Sequence, residues 1–205
     1  NKKLNIFSTN DAEKNSIGII HQELNLFPNL TVHENIFMGH EILDRYKTID
    51  TKQQIKITNE LLSKLNQDID AKTLVESLRI GQQQIIEIAK ALAKKTKILI
   101  MDEPSSALSK KEVSVLFNVI EELKKQEVTI IYISHKLEEI MQIGDVITIL
   151  RDSKFICEEL INNIDIPWIT ENMVGMKSFE AVNTQKVKKG PKIIELKSIS
   201  LKKKE

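Results

Sequence analysis

The sequence is poor in the features that would mark a secreted or membrane-spanning protein. It holds a single cysteine, Cys157, in 205 residues, which excludes an internal disulfide and suits a reducing compartment. That cysteine sits in the apolar-flanked FIC, where an inert packed thiol is expected. No apolar run approaches the length of a membrane-crossing helix, and no signal-peptide pattern is present. Neither sign of charge is in excess: 30 Lys and Arg stand against 29 Asp and Glu, which gives no electrostatic case for a nucleic-acid partner. The basic runs KVKKG and LKKKE read as solvated linker and tail. Glycine is scarce too, and none of the six begins a G-x-x-x-x-G-K-[ST] phosphate loop. The sequence starts at Asn1 and stops in LKKKE just after a new apolar pattern begins; both are expected of a piece of a longer protein.

What remains is 41% hydrophobic and 29% charged, the balance of a globular chain long enough for one domain, or one domain plus a fragment. Residues 3–7 and 17–20 read as short strands with a helical turn, DAEKNS, between them. HQELNLFPNL is a loop broken by Pro28, and TVHE at 31–34 is a capping box. Asp50 caps a helix that runs to Asn66 with Ile55, Leu62 and Leu65 on one face. Together these segments predict a mostly helical lobe over about 23–80.

From Gly81 the pattern changes. QQQIIEIAKALAKK sets Ile85, Ile88, Ala89 and Leu92 on one helical stripe. KILIM and VTIIYIS are continuous apolar runs, the mark of strands covered on both faces. Between them SKKE at 109–112 opens a helix with Val113, Leu116, Phe117, Ile120 and Leu123 inward. KLEEIMQIG is a short helix closed by Gly144, and DVITILRDSKFIC a hairpin turning at Asp152-Ser153. Strand, helix, strand, helix, strand predicts an α/β fold built on a parallel sheet.

In such a sheet, ligands collect beyond the carboxyl ends of the strands. One strand there runs into Asp102 and Glu103, the other into His135. Asp102 is placed to hold Mg²⁺ through its water shell, Glu103 to take a proton from an attacking water, and His135 to steady charge on a departing phosphoryl group. LRIGQQQ at 78–84 offers the amides of a helix start to an anion, and Gln22, just past a strand, can offer its amide oxygen to a metal or water. Taken singly, each is an ordinary turn, surface histidine or helix start; the ordered set is the signal.

That set resembles the ATP-hydrolysing subunit of ABC transporters. HQELNL with TVHENIFMG, IGQQQIIEIAKAL, ILIMDEPSSAL, YISHKLEEI and ITILRD are similar to the monosaccharide-import group, including the ribose and galactose transporters, in which two nucleotide-binding domains are fused in tandem. The resemblance implies an ABC-type P-loop NTPase domain over 1–176 without its phosphate loop, a linker over 177–191, and the first strand of a second domain over 192–205. It implies ATP and Mg²⁺ as ligands and Gln22 as the glutamine that touches the metal or its water. Leu78, Arg79, Gly81 and Gln82 fall in the signature motif that caps nucleotide on an opposing domain. Asp102 matches the metal-holding aspartate, Glu103 the catalytic glutamate, Ser106 the start of the D-loop, and His135 the switch histidine. The implied partners are permease subunits, the second nucleotide-binding domain and, indirectly, an external sugar-binding protein; the implied place is peripheral, on the cytoplasmic face of the cell membrane. A nontransport member of the family, or a remnant serving as an interaction module, stays open beside these expectations.

Two departures stand out. The phosphate loop is missing from the sequence, so the isolated chain is expected neither to bind ATP tightly nor to hydrolyse it. Arg79 stands where the family's signature has serine, and an always-charged guanidinium in place of a hydroxyl is expected to impair the site that this motif caps.

Overall fold

The computed structural model describes residues 4–175. The parts of the domain divisions beyond Gly175, the linker at 177–191 and the strand at 192–205, lie outside them.

Three parallel strands form the central sheet in the order β1 (Ile17–Ile20), β2 (Ile98–Asp102), β3 (Thr129–Ile133). Ile20 is level with Met101, and Met101 with Tyr132. The three carboxyl ends therefore open at one edge. A short helix α1 (Thr9–Lys14), capped by the Ser8 hydroxyl on the Asp11 amide, precedes β1. Residues 4–7 carry no strand, against expectation. Leu4, Ile6 and Phe7 are exposed, and an apolar run without a neighbouring strand has nothing to pair with.

The lobe between β1 and β2 holds α2 (Val32–Phe37), α3 (Thr51–Lys64) and a 3-10 turn at Val75–Ser77. The Thr31 amide and hydroxyl both donate to Glu34, at 2.8 and 2.6 Å, and Asp50 takes the Gln53 amide. Both caps fall where the sequence puts them. The buried face of α3 matches in part: Leu62 and Leu65 are buried as expected, but Ile55 is only half-buried and Gln54 and Thr58 are buried at the turns before Leu62. Polar residues take core positions that hydrophobicity alone assigns elsewhere.

Helix α4 (Ile80–Ala93) returns to the sheet, and residues 84–89 are buried without a break. With α5 (Lys110–Lys125) it covers one sheet face, over Ile20, Leu99 and Met101, each at most 2% exposed. The other face is uncovered by the described residues, leaving Ile19, Ile131 and Ile133 about half exposed (50, 48 and 47%). The expected double cover of β2 and β3 is thus half realised: their apolar runs match a two-sided strand, but α4 and α5 lie on a single side.

After β3, α6 (Leu137–Ile143) leads to the hairpin β4 (Val146–Arg151) and β5 (Lys154–Leu160), then α7 (Ile166–Val174). Asp152 and Ser153 both take positive φ, 52° and 61°, the two-residue turn whose twist suits a hairpin. The hairpin is a separate two-stranded sheet, not the third strand of the parallel one that the alternating pattern suggested. Its inward side packs Ile147 and Ile149 with Ile161 and Ile169 in a second small core, so its hydrophobic demand is met away from β3.

Candidate functional site

Glu103 follows β2 directly. Its amide donates to the Ile133 carbonyl at 2.9 Å, extending the β2–β3 ladder by one rung. The residue then turns into the left-handed region, φ 49°, which costs a non-glycine residue about 1–2 kcal/mol. Such strain persists only where its surroundings enforce it. Here it swings the carboxylate toward the end of β3. Oε1 accepts the His135 Nδ1–H at 2.7 Å and the His135 amide at 3.1 Å. Oε2 is buried and has no partner among the described residues. A carboxylate only accepts, so the proton lies on Nδ1 and the other ring nitrogen, Nε2, is left for solvent. The imidazole is 72% exposed and the Glu103 side chain 18%.

Asp102 closes β2, level with Ile133. The strand ends thus bring Glu103 and His135 into contact and set Asp102 one residue behind. Gln22 lies two residues past β1 on the same edge, exposed and with no side-chain hydrogen bond among the described residues. Ser106, also exposed, caps the turn by donating its amide to the Glu103 carbonyl at 3.1 Å.

Residues 78–82 stand apart from this pair. Leu78 is half-buried, and its carbonyl takes the Gln83 side chain. Arg79 is the N-cap of α4, and the Gln82 side chain accepts its amide at 3.1 Å. Only that half of a capping box exists, because a guanidinium has nothing to accept with. The Gly81 amide is already taken by Glu112 Oε1 at 3.3 Å. A Cβ at Gly81 would stand 2.8 Å from Glu112 Cγ, so glycine is what lets the carboxylate approach. The other oxygen of Glu112 holds the Ser109 amide and hydroxyl at 2.9 and 2.7 Å, and these bonds, first of all that of the hydroxyl, hold its pKa below the usual carboxylate range. The anion drawn to this helix start is one of the chain's own.

Several positioning groups escaped the sequence patterns. Asn35, fully buried, accepts the Phe27 amide at 2.7 Å and donates to the carbonyls of Phe27 and Thr31, at 3.0 Å each. Glu87 takes the Asn25 amide at 2.8 Å, and Lys90 donates to the Asn25 carbonyl at 3.0 Å. Together they fix the loop after Gln22. The only hint was an acid inside the apolar run IIEIAKAL. Concavity gives none: a hollow lined by Leu61, Leu92, Thr96 and Val128 flanks the starts of β2 and β3, the end opposite the acidic pair.

The residues present fit part of what the fold would bind. Asp102, with the free amide oxygen of Gln22 on the same edge, suits a divalent ion that keeps much of its water and borrows phosphate oxygens. Nothing in the sequence supplies the lysine and nest of amides that cradle a triphosphate.

A sequence model of the family described as ABC transporter matches residues 1–106. Among solved structures, an inward-facing putative metal-chelate type ABC transporter aligns with a TM-score of 0.65 at 23% identity, over 78% of this chain and 63% of that one. The ADP conformation of MJ1267, an ATP-binding cassette of an ABC transporter, aligns at 0.67 and 22% identity, over 81% and 71%. For cbiO1 from Clostridium perfringens, part of the cbiONQ complex, the values are 0.63 and 22%, over 76% and 62%. The chain spans about 63% of the first of these structures. At such identities the likeness is one of fold, the mixed α/β fold of ABC ATPase cassettes, and with the family match over more than half the sequence it shows that this chain belongs to the ABC transporter family.

Proposed function

We propose that the chain is part of the energy-coupling ATPase of an ABC importer, with Glu103 as the proton acceptor. One observation carries this: a strained glutamate at the carboxyl edge of the sheet whose Oε1 is held by His135 while Oε2 is buried and unengaged. Oε2 is thereby the free acceptor for the proton of a water. His135 keeps Nδ1 on Glu103, so Nε2 reaches a phosphate oxygen as a donor only in the imidazolium form. Asp102 would hold Mg²⁺, which when bound supplies positive charge to a triphosphate. Gln22, exposed on the same edge, is the candidate contact to that metal's water.

The complementary half of the chemistry lies with a partner. Leu78, Arg79, Gly81 and Gln82, with Ser106 of the D-loop, would face a second nucleotide-binding domain, and the loop and lobe after Gln22 a permease. A monosaccharide as cargo, with an external sugar-binding protein and a place on the cytoplasmic face of the membrane, rests on the likeness of HQELNL and its companion motifs to the sugar-import group. Among the described residues no helix is long and apolar enough to cross a membrane, as suits a peripheral subunit.

The test uses the complete reading frame that contains these residues, purified with its permease. Glu103→Gln is expected to lower kcat for ATP about 100-fold or more, the weight of a general base. Retention of activity within threefold would refute the assignment. The alternative, a nucleotide-independent interaction module, predicts the opposite: partner binding that survives Glu103→Gln and ignores ATP.

A further inference from the structure

The proposed chemistry leaves unused a largely buried carboxylate that ties three segments together. Glu139, on α6, has a side chain only 12% exposed. Its Oε2 accepts the hydroxyl of Ser105 at 2.6 Å and that of Tyr132 at 2.7 Å. Lys136 stands 3.3 Å from Oε1 and donates to the Ser105 carbonyl and hydroxyl, at 2.8 and 3.2 Å. Ser105 is wholly buried, two residues beyond Glu103. Tyr132 lies on the covered face of β3, its ring edge-on to Phe117 with centroids 6.4 Å apart. Three segments meet in this carboxylate: the turn after β2, strand β3, and the helix that follows His135.

We propose that Glu139 is the positioning residue of the Glu103–His135 pair, holding through Ser105 and Tyr132 the two loops that carry them. The backbone of Glu103 is held by the ladder bond to Ile133 and by the Ser106 amide on its carbonyl, and Ser105 anchors the turn between them. His135 is held by β3 before it and α6 after it. Glu139 takes the hydroxyls of both Ser105 and Tyr132, and Lys136, beside His135, reinforces the tie to Ser105. Burial pushes the Tyr132 phenol far above its ordinary range, and the bond to Glu139 adds to this while Ser105 opposes it; the phenol remains a proton donor at every working pH. The acceptor for both hydroxyls is a charged carboxylate, the stronger kind of hydrogen bond. A neutral amide in its place keeps the shape and weakens the hold.

The inference needs only the geometry for its first test and the proposed ATPase for its second. In the 205-residue chain, hydrogen exchange reads the His135 amide, which donates to Glu103. Glu139→Gln and the milder Tyr132→Phe, which keeps the ring against Phe117, are each expected to speed exchange at His135 about tenfold. Amides inside β2 and β3, such as those of Ile100 and Ile131, are expected to hold their rates. An unchanged His135, or the same acceleration at all of these amides, overturns the proposal. In the complete protein, kcat is expected to fall about tenfold with KM for ATP unchanged; a raised KM at constant kcat overturns it too. If the unaltered complete protein hydrolyses no ATP, the function proposed above fails, and the exchange result alone decides this inference.

Discussion

Replacing Asn35 by alanine isolates the cost of unpinning the loop that leads from Gln22 into the helical lobe. The side chain is fully buried and bonds the Phe27 amide and the carbonyls of Phe27, Leu30 and Thr31. These bonds are not equal losses. Each carbonyl keeps a second donor: Leu30 N–H for Phe27, Val75 N–H for Leu30, and the Asn35 amide itself for Thr31. The Phe27 amide has no other acceptor among the described residues. The removed acceptor therefore strands one donor, worth about 1–3 kcal/mol, and three shared bonds weaken by about half the usual 1 kcal/mol each. A total of about 3 kcal/mol follows. With a urea m-value of about 2 kcal/mol/M, the midpoint should fall by about 1.5 M. Helical circular dichroism is the right probe, because the single tryptophan, Trp168, packs against the second core and reports on the wrong region. Asn35→Asp sharpens the test. It keeps the acceptor for Phe27 but turns the donor into a buried carboxylate facing three carbonyl oxygens, and should be worse than alanine at pH 7. A loss under 0.5 kcal/mol for Asn35→Ala would refute the idea that the amide holds this loop.

The remaining predictions touch the site and the charge balance. Calorimetric titration of the 205-residue chain with Mg-ATP should show no binding tighter than millimolar, since no lysine loop grips the phosphates; micromolar affinity would contradict this. Arg79→Ser should stabilise the chain by about 1 kcal/mol, because a hydroxyl can take the Gln82 amide that arginine leaves free at the start of α4; a lower thermal midpoint would refute it. His40, half-buried beside Phe37, has its pKa held below the ordinary histidine value, first by burial and then by Lys94, against the pull of the Met38 carbonyl and of Glu41 and Glu13. The unfolded chain then binds the proton more readily than the folded one. Its contribution is fully present above about pH 6.5 and is lost as the pH falls below that value toward the lower folded pKa. Urea midpoints should drop between pH 7.5 and 5.5, and His40→Gln should flatten that part of the profile.

The sequence carried the local signals well and the relations between faces poorly. Caps at Thr31, Asp50 and Ser109, and the turn at Asp152-Ser153, sit where expected, because each depends on residues no more than four apart. The meeting of Glu103 with His135 was legible because two apolar runs of equal length end in those residues, and parallel pairing levels their ends. Gln54 and Thr58, in the core of the lobe, and Glu87 within α4 were not legible. Their burial depends on what the neighbouring helices present, and hydrophobic periodicity counts only one chain segment at a time. The destination of β4 failed for the same reason: its alternation of buried Ile147 and Ile149 with exposed neighbours marks a one-sided strand but does not say which side of the molecule supplies the cover.

The uncovered face of the central sheet ties these points to the chemistry. Strands with apolar residues on both sides can be ordered from either. In the described residues all of that order comes from one side, through Leu99, Met101 and Tyr132 on α4 and α5. Ile19, Ile131 and Ile133, each about half exposed, contribute about half the 1.5–3 kcal/mol that full burial of such a side chain supplies. Among the described residues no second layer lends rigidity to the loops beyond the strand ends. They need local polar ties, and Glu139 supplies one between Ser105 and Tyr132, on the covered side. Glu103 offsets the strain of its left-handed turn with ties of its own: a backbone rung to Ile133, the Ser106 amide on its carbonyl, and two bonds from His135 to one oxygen. Every one of those ties leaves Oε2 alone. Strain, burial and hydrogen bonding converge on presenting a single carboxylate oxygen, an arrangement that packing by itself gives no reason to keep.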